Sequence, residues 1–384
     1  MNAPFRLLPP PAFLAEPELA RVLAALSGAR VVGGAVRDAM LGIAIGDIDL
    51  AVAMPPDAVI AALRRAGLRA IPTGLAHGTV STLAGTRLVE ITTLRRDIAT
   101  DGRHARVAFT DAWEEDAARR DFTINALSLT PDGAVYDYCG GRDDLAAGRV
   151  RFVGDPGRRL AEDYLRLLRF FRFQARYGHV PPDAATKAAL RAAIPGLARL
   201  SPERIWAELK RLLTAPDPAP ALALMAELGV LDAVLPEGAD AGARLPVPPD
   251  PILRLAAILR GDGDALAERL RLSKAERTRL AAFRRPPPDP ARLAEALAET
   301  PADILAGRAL IAGETELAAR LRTMAAPAFP LSGRDVVALG VAPGPRVGSL
   351  LAETRAFWLA RGCRDDAEIC RAHLADLIAE QATP

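Results

Sequence analysis

The sequence predicts an α+β protein, with a mixed α/β domain up to about Gly154 and an all-helical remainder. Two patterns carry that prediction. Up to Gly154, short β-rich runs (ARVVG, DIDLAV, TVSTLAG, TRLVEITTL, INALSLT and VRFVG) alternate with stretches of helical spacing. Beyond Asp155 such runs vanish, and alanine, leucine and arginine recur at helical intervals with prolines at the joins. Breaks fall near Gly154, across TAPDPAP (Thr214 to Pro220) and in the proline-rich RRPPPDP around Pro286. Domains are therefore expected over 1–154, 155–215 and 216–384, with no internal repeat of fixed period.

Composition narrows the class. At 384 residues the chain exceeds one ordinary domain, and a prior of about 150 residues per domain suggests two or three. A hydrophobic share of 50% and a charged share of 25% match a globular protein rather than a disordered or fibrous one. No apolar run is long enough to cross a bilayer. MNAPFRLLPPPAFLAE lacks a basic stretch followed by a long apolar segment, so no secretory signal is expected and the cytoplasm is the expected compartment. Cys139, Cys363 and Cys370 show no CxxC spacing, and His77, His104, His179 and His373 form no HExxH pattern. A metal would have to sit on carboxylates. The net charge of +2 is nearly neutral, so a nucleic-acid partner would be met by a local basic cluster rather than by the global field.

The carboxylates are the first sign of chemistry. In a strand, successive side chains point to opposite faces, so within GDIDLAV the residues Asp47 and Asp49 share one face and Ile48, Leu50 and Val52 the other. Aspartate is disfavoured in strands, and two on one face repel unless something positive lies between them. A divalent cation resolves that conflict, and oxygen ligands on a rigid strand suit Mg2+, which commonly combines a few carboxylates with substrate phosphates. In TRLVEITTL, Val89 and Ile91 face the core and Glu90 the other side, so a strand beside DID would bring a third acid to the metal position. A solvent-facing Glu90 is the plain alternative.

Gly33 and Gly34 follow the strand ARVV and precede a helix beginning near Ala35, so backbone amides there can approach an anion unobstructed. The segment is neither a P-loop nor a GxGxxG fingerprint. A phosphate cradle beside an Asp-x-Asp pair reads as two-metal phosphoryl or nucleotidyl transfer.

These residues are recognisable together. GGAVRD…GDIDL (Gly33 to Leu50, including Arg37) resembles the first signature of the class II tRNA nucleotidyltransferase and bacterial poly(A) polymerase family. EEDAARRDFTINALSL (Glu114 to Leu129) is similar to its second, VGDPGRRLAEDYLRLLRFFRFQARYG (Val153 to Gly178) to its third and fourth, and SPERIWAELKRLL (Ser201 to Leu213) to its fifth. LSGRDVVALGVAPGPRVGSLL (Leu331 to Leu351) looks like the C-terminal helical region, with less specificity. One departure is Tyr164, where many relatives carry proline after the Glu-Asp pair; proline there would only favour a helix start.

The resemblance implies a polymerase-β-like head with a mixed or antiparallel sheet, a helical neck that recognises the base, and a helical body and tail that bind tRNA. It implies CTP and ATP as substrates and the tRNA 3′ end as partner; from the sequence itself no membrane and no obligate protein partner are expected. Asp47, Asp49 and Glu90 become the catalytic acids, with the metal on Asp47 and Asp49. Arg37, Arg119, Arg120, Asp121, Asn125 and Arg159 become nucleotide or phosphate contacts, beside Gly33 and Gly34.

The resemblance assigns base recognition to Asp163 and Arg166 of the Glu-Asp-x-x-Arg motif, with Glu162 orienting the arginine. Cytosine and adenine each present an exocyclic amine beside a ring-nitrogen acceptor, whereas uracil and guanine present a carbonyl and a ring N–H. A carboxylate accepting from the amine and a guanidinium donating to the ring nitrogen fit C and A and repel U and G. An ordinary surface ion pair, worth at most about 1 kcal/mol, is the alternative. The helix beginning near Glu162 is expected to pack through Tyr164, Leu168, Phe171 and Ala175, with Arg159, Asp163 and Arg166 on another face.

RRDIATDGRHARVAF (Arg95 to Phe109) is polar, carries a glycine and reads as a mobile loop, with His104 a loop residue rather than a base. Such a loop helps the family switch from C to A addition, which argues against a CC-only enzyme. Arg269, Arg271, Lys274, Arg277, Arg279, Arg284 and Arg285 form a basic cluster suited to backbone phosphates or to a solvated helix face. A poly(A) polymerase or A-adding enzyme of the same family is the nearest rival. PTGLAHGTV (Pro72 to Val80), standing where poly(A) polymerases tend to carry a GRRF-like stretch, favours tRNA repair. An RNA-binding module with a silent fold would be expected to have lost an acid, and a small-molecule nucleotidyltransferase would leave the helical part without a purpose.

Overall fold

The computed structural model describes residues 4–7, 9–101, 104–246 and 248–381. They divide into two compact units, Met1–Pro236 and Glu237–Pro384. In the first unit the strands are β1 (Phe5–Arg6), β2 (Arg30–Val32), β3 (Ile48–Val52), β4 (Ile71–Gly74), β5 (Thr79–Ala84), β6 (Arg87–Thr93), β7 (Arg95–Asp101), β8 (His104–Phe109), β9 (Leu127–Leu129) and β10 (Ala134–Asp137). The helices are α1 (Pro17–Ala25), α2 (Gly34–Met40), α3 (Pro56–Arg65), α4 (Trp113–Ala118), α5 (Gly141–Ala146), α6 (Pro156–Glu162), α7 (Leu165–Tyr177), α8 (Ala184–Ala192), α9 (Pro202–Leu213), α10 (Ala219–Glu227) and α11 (Val230–Val234).

One sheet runs in the order β1-β10-β9-β2-β3-β6-β5-β4. Its pairs are antiparallel except β3 with β6, so the sheet is mixed, as the sequence predicts. Strand alternation decides where the core lies. Ile48, Leu50 and Val52 of β3, Val89 and Ile91 of β6, and Val31 of β2 turn to one face and pack on Leu19, Val22 and Leu23 of α1 and Val59 and Leu63 of α3. On the other face Val32, Ala51 and Leu94 form a smaller cluster under Trp113.

Three expectations change. RRDIATDGRHARVAF is a paired hairpin, β7 against β8 from Arg95–Phe109 to Asp101–His104, because backbone pairing satisfies N–H and C=O groups whatever the polarity of the side chains. Positions 102 and 103 and the His104 side chain lie outside the described residues. VRFVG contributes only one isolated bridge, Phe122 to Phe152, since the chain turns there into α6. The helix expected from Glu162 is interrupted: α6 ends at Glu162, Asp163 is extended (φ −154°, ψ 108°), and α7 starts at Leu165.

The packing face of α7 is also broader than the expected stripe. Leu167, Leu168, Phe170, Phe171, Phe173 and Tyr177 are buried, whereas Tyr164 and Ala175 are half-buried. Phe122 is fully buried against Phe152, Phe170 and Phe173, with ring centroids 5.0, 6.2 and 4.9 Å away. This cluster ties the helix carrying the fourth signature to the segment carrying the second.

The second unit holds α12 (Pro251–Ile258), α13 (Gly263–Arg269), α14 (Lys274–Phe283), α15 (Leu293–Glu299), α16 (Ala302–Ile311), α17 (Thr315–Thr323), α18 (Gly333–Ala338), α19 (Pro345–Ala360) and α20 (Ala367–Glu380). Helices α15 to α17 share one apolar core around Leu305 and Leu321, and α18 to α20 another around Trp358 and Leu374. Among the described residues no strand follows β10, in keeping with the helical pattern beyond Asp155, and no helix is long and apolar enough to cross a membrane.

Truncating the centre of the aromatic cluster, Phe122→Ala, is expected to lower the unfolding free energy by about 3–5 kcal/mol, read from urea denaturation.

Candidate active site

The strand-to-helix turn at Gly33 is dictated by its backbone. Gly33 has φ +71° and ψ −129°, a conformation that side chains resist, and a Cβ there would lie 3.2 Å from Arg120 Nη1. The turn delivers α2 and both glycines to the wall of a cleft of about 600 Å³. That cleft is lined by Gly33, Gly34, Arg37, Asp47, Asp49, Arg119, Arg120, Asp121, Asn125, Asp163 and Arg166 from the sequence-derived set. Glu90, Arg159 and Glu162 are not among its lining residues.

Asp49 lies beside Glu90 across the parallel ladder of β3 and β6, the neighbourhood the alternation argument requires. Asp47 stands one residue before β3 and opens to solvent with Asp49 and Glu90. Partial desolvation in the cleft raises the Asp49 carboxyl above its ordinary value, the Glu90 and Asp47 charges add to the rise, and Arg120 opposes it. The expected convergence of three acids is not met: among the described residues no group of three carboxylate, thiol or imidazole side chains gathers as a ligand set. Glu90 stays close enough for its charge to act on Asp49, which leaves an acid pair at the cleft with a third acid alongside.

The pair fits a divalent cation on the chemistry of its donors. Among the described residues neither Asp47, Asp49 nor Glu90 has an ion pair or side-chain hydrogen bond, while Asp116, Asp121, Glu162 and Asp163 are committed to arginines. Unpaired carboxylates facing a cleft are the groups a cation would take.

The opposite wall is arginine held in place. Asp116, which the sequence reading passed over, is buried at 3% exposure and holds both Arg119 (Nε to Oδ1, 2.8 Å) and Arg120 (Nη2 to Oδ2, 3.1 Å). Its desolvation is outweighed by these two cations, so its carboxyl falls below the ordinary value. Arg37 donates to Asn125 Oδ1 at 2.5 Å, Asn125 Nδ2 to Asp121 Oδ1 at 3.0 Å, and Arg169 Nε and Nη2 both to Asp121 Oδ2, the first at 2.8 Å. Asp121 is desolvated too, yet Arg169 and these hydrogen bonds hold its carboxyl low.

Glu162 holds two arginines in place. Its Oε2 accepts from Arg166 Nη1 at 2.5 Å and from Arg159 Nη1 at 2.6 Å. Arg159 also donates to the Arg119 and Arg120 carbonyls, so it braces the wall from behind instead of lining it. Asp163 pairs with Arg204 and not with Arg166. Arg169, Arg172 and Phe173 also line the cleft and were missed; the signal was arginine at every third residue from 166 to 172 along α7, which puts one face of the helix in the cleft.

Two family models match the chain: "Poly A polymerase head domain" over residues 29–151 and "Probable RNA and SrmB- binding site of polymerase A" over 181–241. Over 356 residues it is 36% identical to CCA tRNA nucleotidyltransferase 1, mitochondrial, of Danio rerio, covering 86% of this chain and 83% of that protein. The chain belongs to the CCA tRNA nucleotidyltransferase family. The CCA-adding enzyme of Streptococcus gordonii is 41% identical over 204 residues, covering 53% of this chain and 50% of that one. Among solved structures, the Bacillus stearothermophilus CCA-adding enzyme in complex with CTP superposes with a TM-score of 0.74 at 25% identity, covering 95% of this chain and 98% of that one. The Thermotoga maritima CCA-adding enzyme complexed with tRNA shares the fold at a TM-score of 0.63 and 21% identity, covering 98% and 100%.

Part of the basic cluster of the second unit is spent on its own fold. Arg269 grips Glu237 (2.7 and 2.8 Å), Arg279 pairs with Asp250 (2.8 Å), and Arg284 donates to the Leu259 and Gly261 carbonyls. Lys274, Arg277 and Arg285 are exposed.

Because Asp121 is held below the ordinary carboxylate value, its pairing stabilises the fold above that value and the contribution is lost as pH falls through the folded-state pKa. Melting temperatures between about pH 6 and pH 3 are expected to fall less steeply in Asp121→Asn than in the parent, from a lower starting point.

Proposed function

We propose that this enzyme adds C, C and A to the 3′ end of tRNA from CTP and ATP, without a nucleic-acid template, and releases diphosphate at each step. The observation that carries the reading is the single cleft in which the unpaired Asp47 and Asp49 face a braced arginine wall ending at Asp163 and Arg166. The relatives named for CCA addition, and the solved CCA-adding enzymes in complex with CTP and with tRNA, support it.

The chain's residues divide the work. Arg37, Arg119 and Arg120, fixed by Asn125 and Asp116, hold the triphosphate, and the Gly33–Gly34 turn lets backbone amides approach it. Asp163 accepts from the exocyclic amine of cytosine or adenine and Arg166, fixed by Glu162, donates to the ring nitrogen. Asp47 and Asp49, with Glu90 alongside, would hold a divalent cation, for which we propose Mg2+; bound there, it would supply Lewis-acid activation of the terminal ribose hydroxyl and charge neutralisation of the departing diphosphate. Arginines pre-set by buried carboxylates need no reorganisation when charge develops on the phosphates.

Within the family, poly(A) or A-only synthesis is the second reading; it rests on the shared head-domain model. The free thiols Cys139, Cys363 and Cys370 suit a reducing compartment, and we propose the cytoplasm, although the Danio rerio relative is mitochondrial by name.

Purified protein given Mg2+, tRNAs ending before CCA, after C or after CC, and single nucleotides is expected to extend each by the correct base, read by sequencing the products. Extension of the unfinished tRNA by ATP alone into a homopolymer would replace the CCA reading with the poly(A) one. Asp49→Asn is expected to reduce incorporation on all three primers at least about a thousandfold without shifting the melting curve downward. Asp163→Ala is expected to raise UTP and GTP misincorporation while CTP and ATP are still used.

A further inference from the structure

Helix α9 carries the fifth signature. Its apolar face buries Trp206, Leu209, Leu212 and Leu213. Its polar face carries Arg204 and Glu208, one helical turn apart, and each reaches a residue of the cleft. Glu208 Oε2 accepts from Arg172 Nε at 2.6 Å, and Arg204 Nη2 donates to Asp163 Oδ2 at 2.9 Å.

Asp163 depends on that contact more than its neighbours would. It lies outside any helix, between α6 and α7, and its own chain supplies one anchor, the Leu165 N–H to Oδ1 at 3.0 Å. Arg166 is fixed independently by Glu162 and the Arg159 carbonyl. Reading a base requires the acceptor and the donor at a fixed spacing, so the aim of the Asp163 carboxylate is the adjustable half of the pair. Each carboxylate oxygen has two lone pairs, so Arg204 and the Leu165 amide occupy one on each and leave the others for a base amine.

We propose that Arg204 is the positioning residue for nucleotide selection: α9 aims the Asp163 carboxylate at the base, and selection against U and G depends on that anchor. The proposal rests on the reading that Asp163 recognises the base. Arg204 does not line the cleft, so it acts through Asp163 and not on the nucleotide.

Steady-state kinetics of the full-length enzyme with Mg2+ test it, using tRNA lacking CCA with CTP and tRNA ending in CC with ATP, and UTP and GTP as competitors. Arg204→Ala is expected to raise KM for both cognate nucleotides about tenfold, the scale of one charge-assisted hydrogen bond, with a smaller fall in kcat and more misincorporation. Arg204→Lys, which keeps a charged donor, is expected to recover most of the selectivity. Adding Arg204→Ala to Asp163→Ala is expected to cost no further selectivity. If Asp163→Ala blurs base choice while Arg204→Ala leaves KM and selectivity at parental values, or lowers KM, the proposal is overturned and the reading beneath it stands. If Asp163→Ala keeps its selectivity, that reading falls and this proposal with it. Should Arg204→Ala melt well below the parent, Arg204→Lys and Arg204→Gln decide; equal, parental selectivity in both overturns the proposal.

Discussion

Two carboxylates of like sign stand together at the start of β3 while the alternate residues of that strand are packed into the core, and the arrangement of the cleft follows from this. Ile48, Leu50 and Val52 are almost completely buried, so β3 cannot slip by a residue without driving aspartate into the apolar layer. The register that secures the core thereby holds Asp47 and Asp49 at the cleft. Their repulsion is left uncompensated by any side-chain ion pair among the described residues, which makes them receptive to a cation.

The rest of the wall follows the opposite rule. Asp116, Asp121 and Glu162 are each matched to arginines, and these pairs serve as braces more than as sources of stability. A buried ion pair roughly offsets its own desolvation, but it fixes the guanidinium at one place and angle. Arg119, Arg120 and Arg166 are held this way before any substrate arrives, and Arg37 is held by the Asn125 amide oxygen and Asp38. A cationic wall set in advance suits a polyanionic triphosphate, because little side-chain entropy remains to be lost on binding.

The second unit contributes differently. Several of its arginines close the unit on itself, through Glu237, Asp250 and the Leu259 and Gly261 carbonyls. A basic run in a helical sequence is thus a poor guide to an RNA-binding surface until each cation has been traced to its partner.

The residues that local periodicity governs were legible in the sequence. Period-two alternation put Asp47 and Asp49 opposite the core and turned Glu90 the same way, and a double glycine between strand and helix marked a turn that Gly33 makes at positive φ. Helical spacing beyond Asp155 marked the all-helical remainder. What local pattern does not encode is which distant groups meet. The strand order, the hairpin made from a polar segment, the break at Asp163, and the pairing of Asp163 with Arg204, 41 residues away, were decided by the tertiary structure alone. The reason is physical: side-chain periodicity is set by the backbone's own repeat, whereas a charge finds its partner only after the chain has brought separate elements together and excluded most of the water between them.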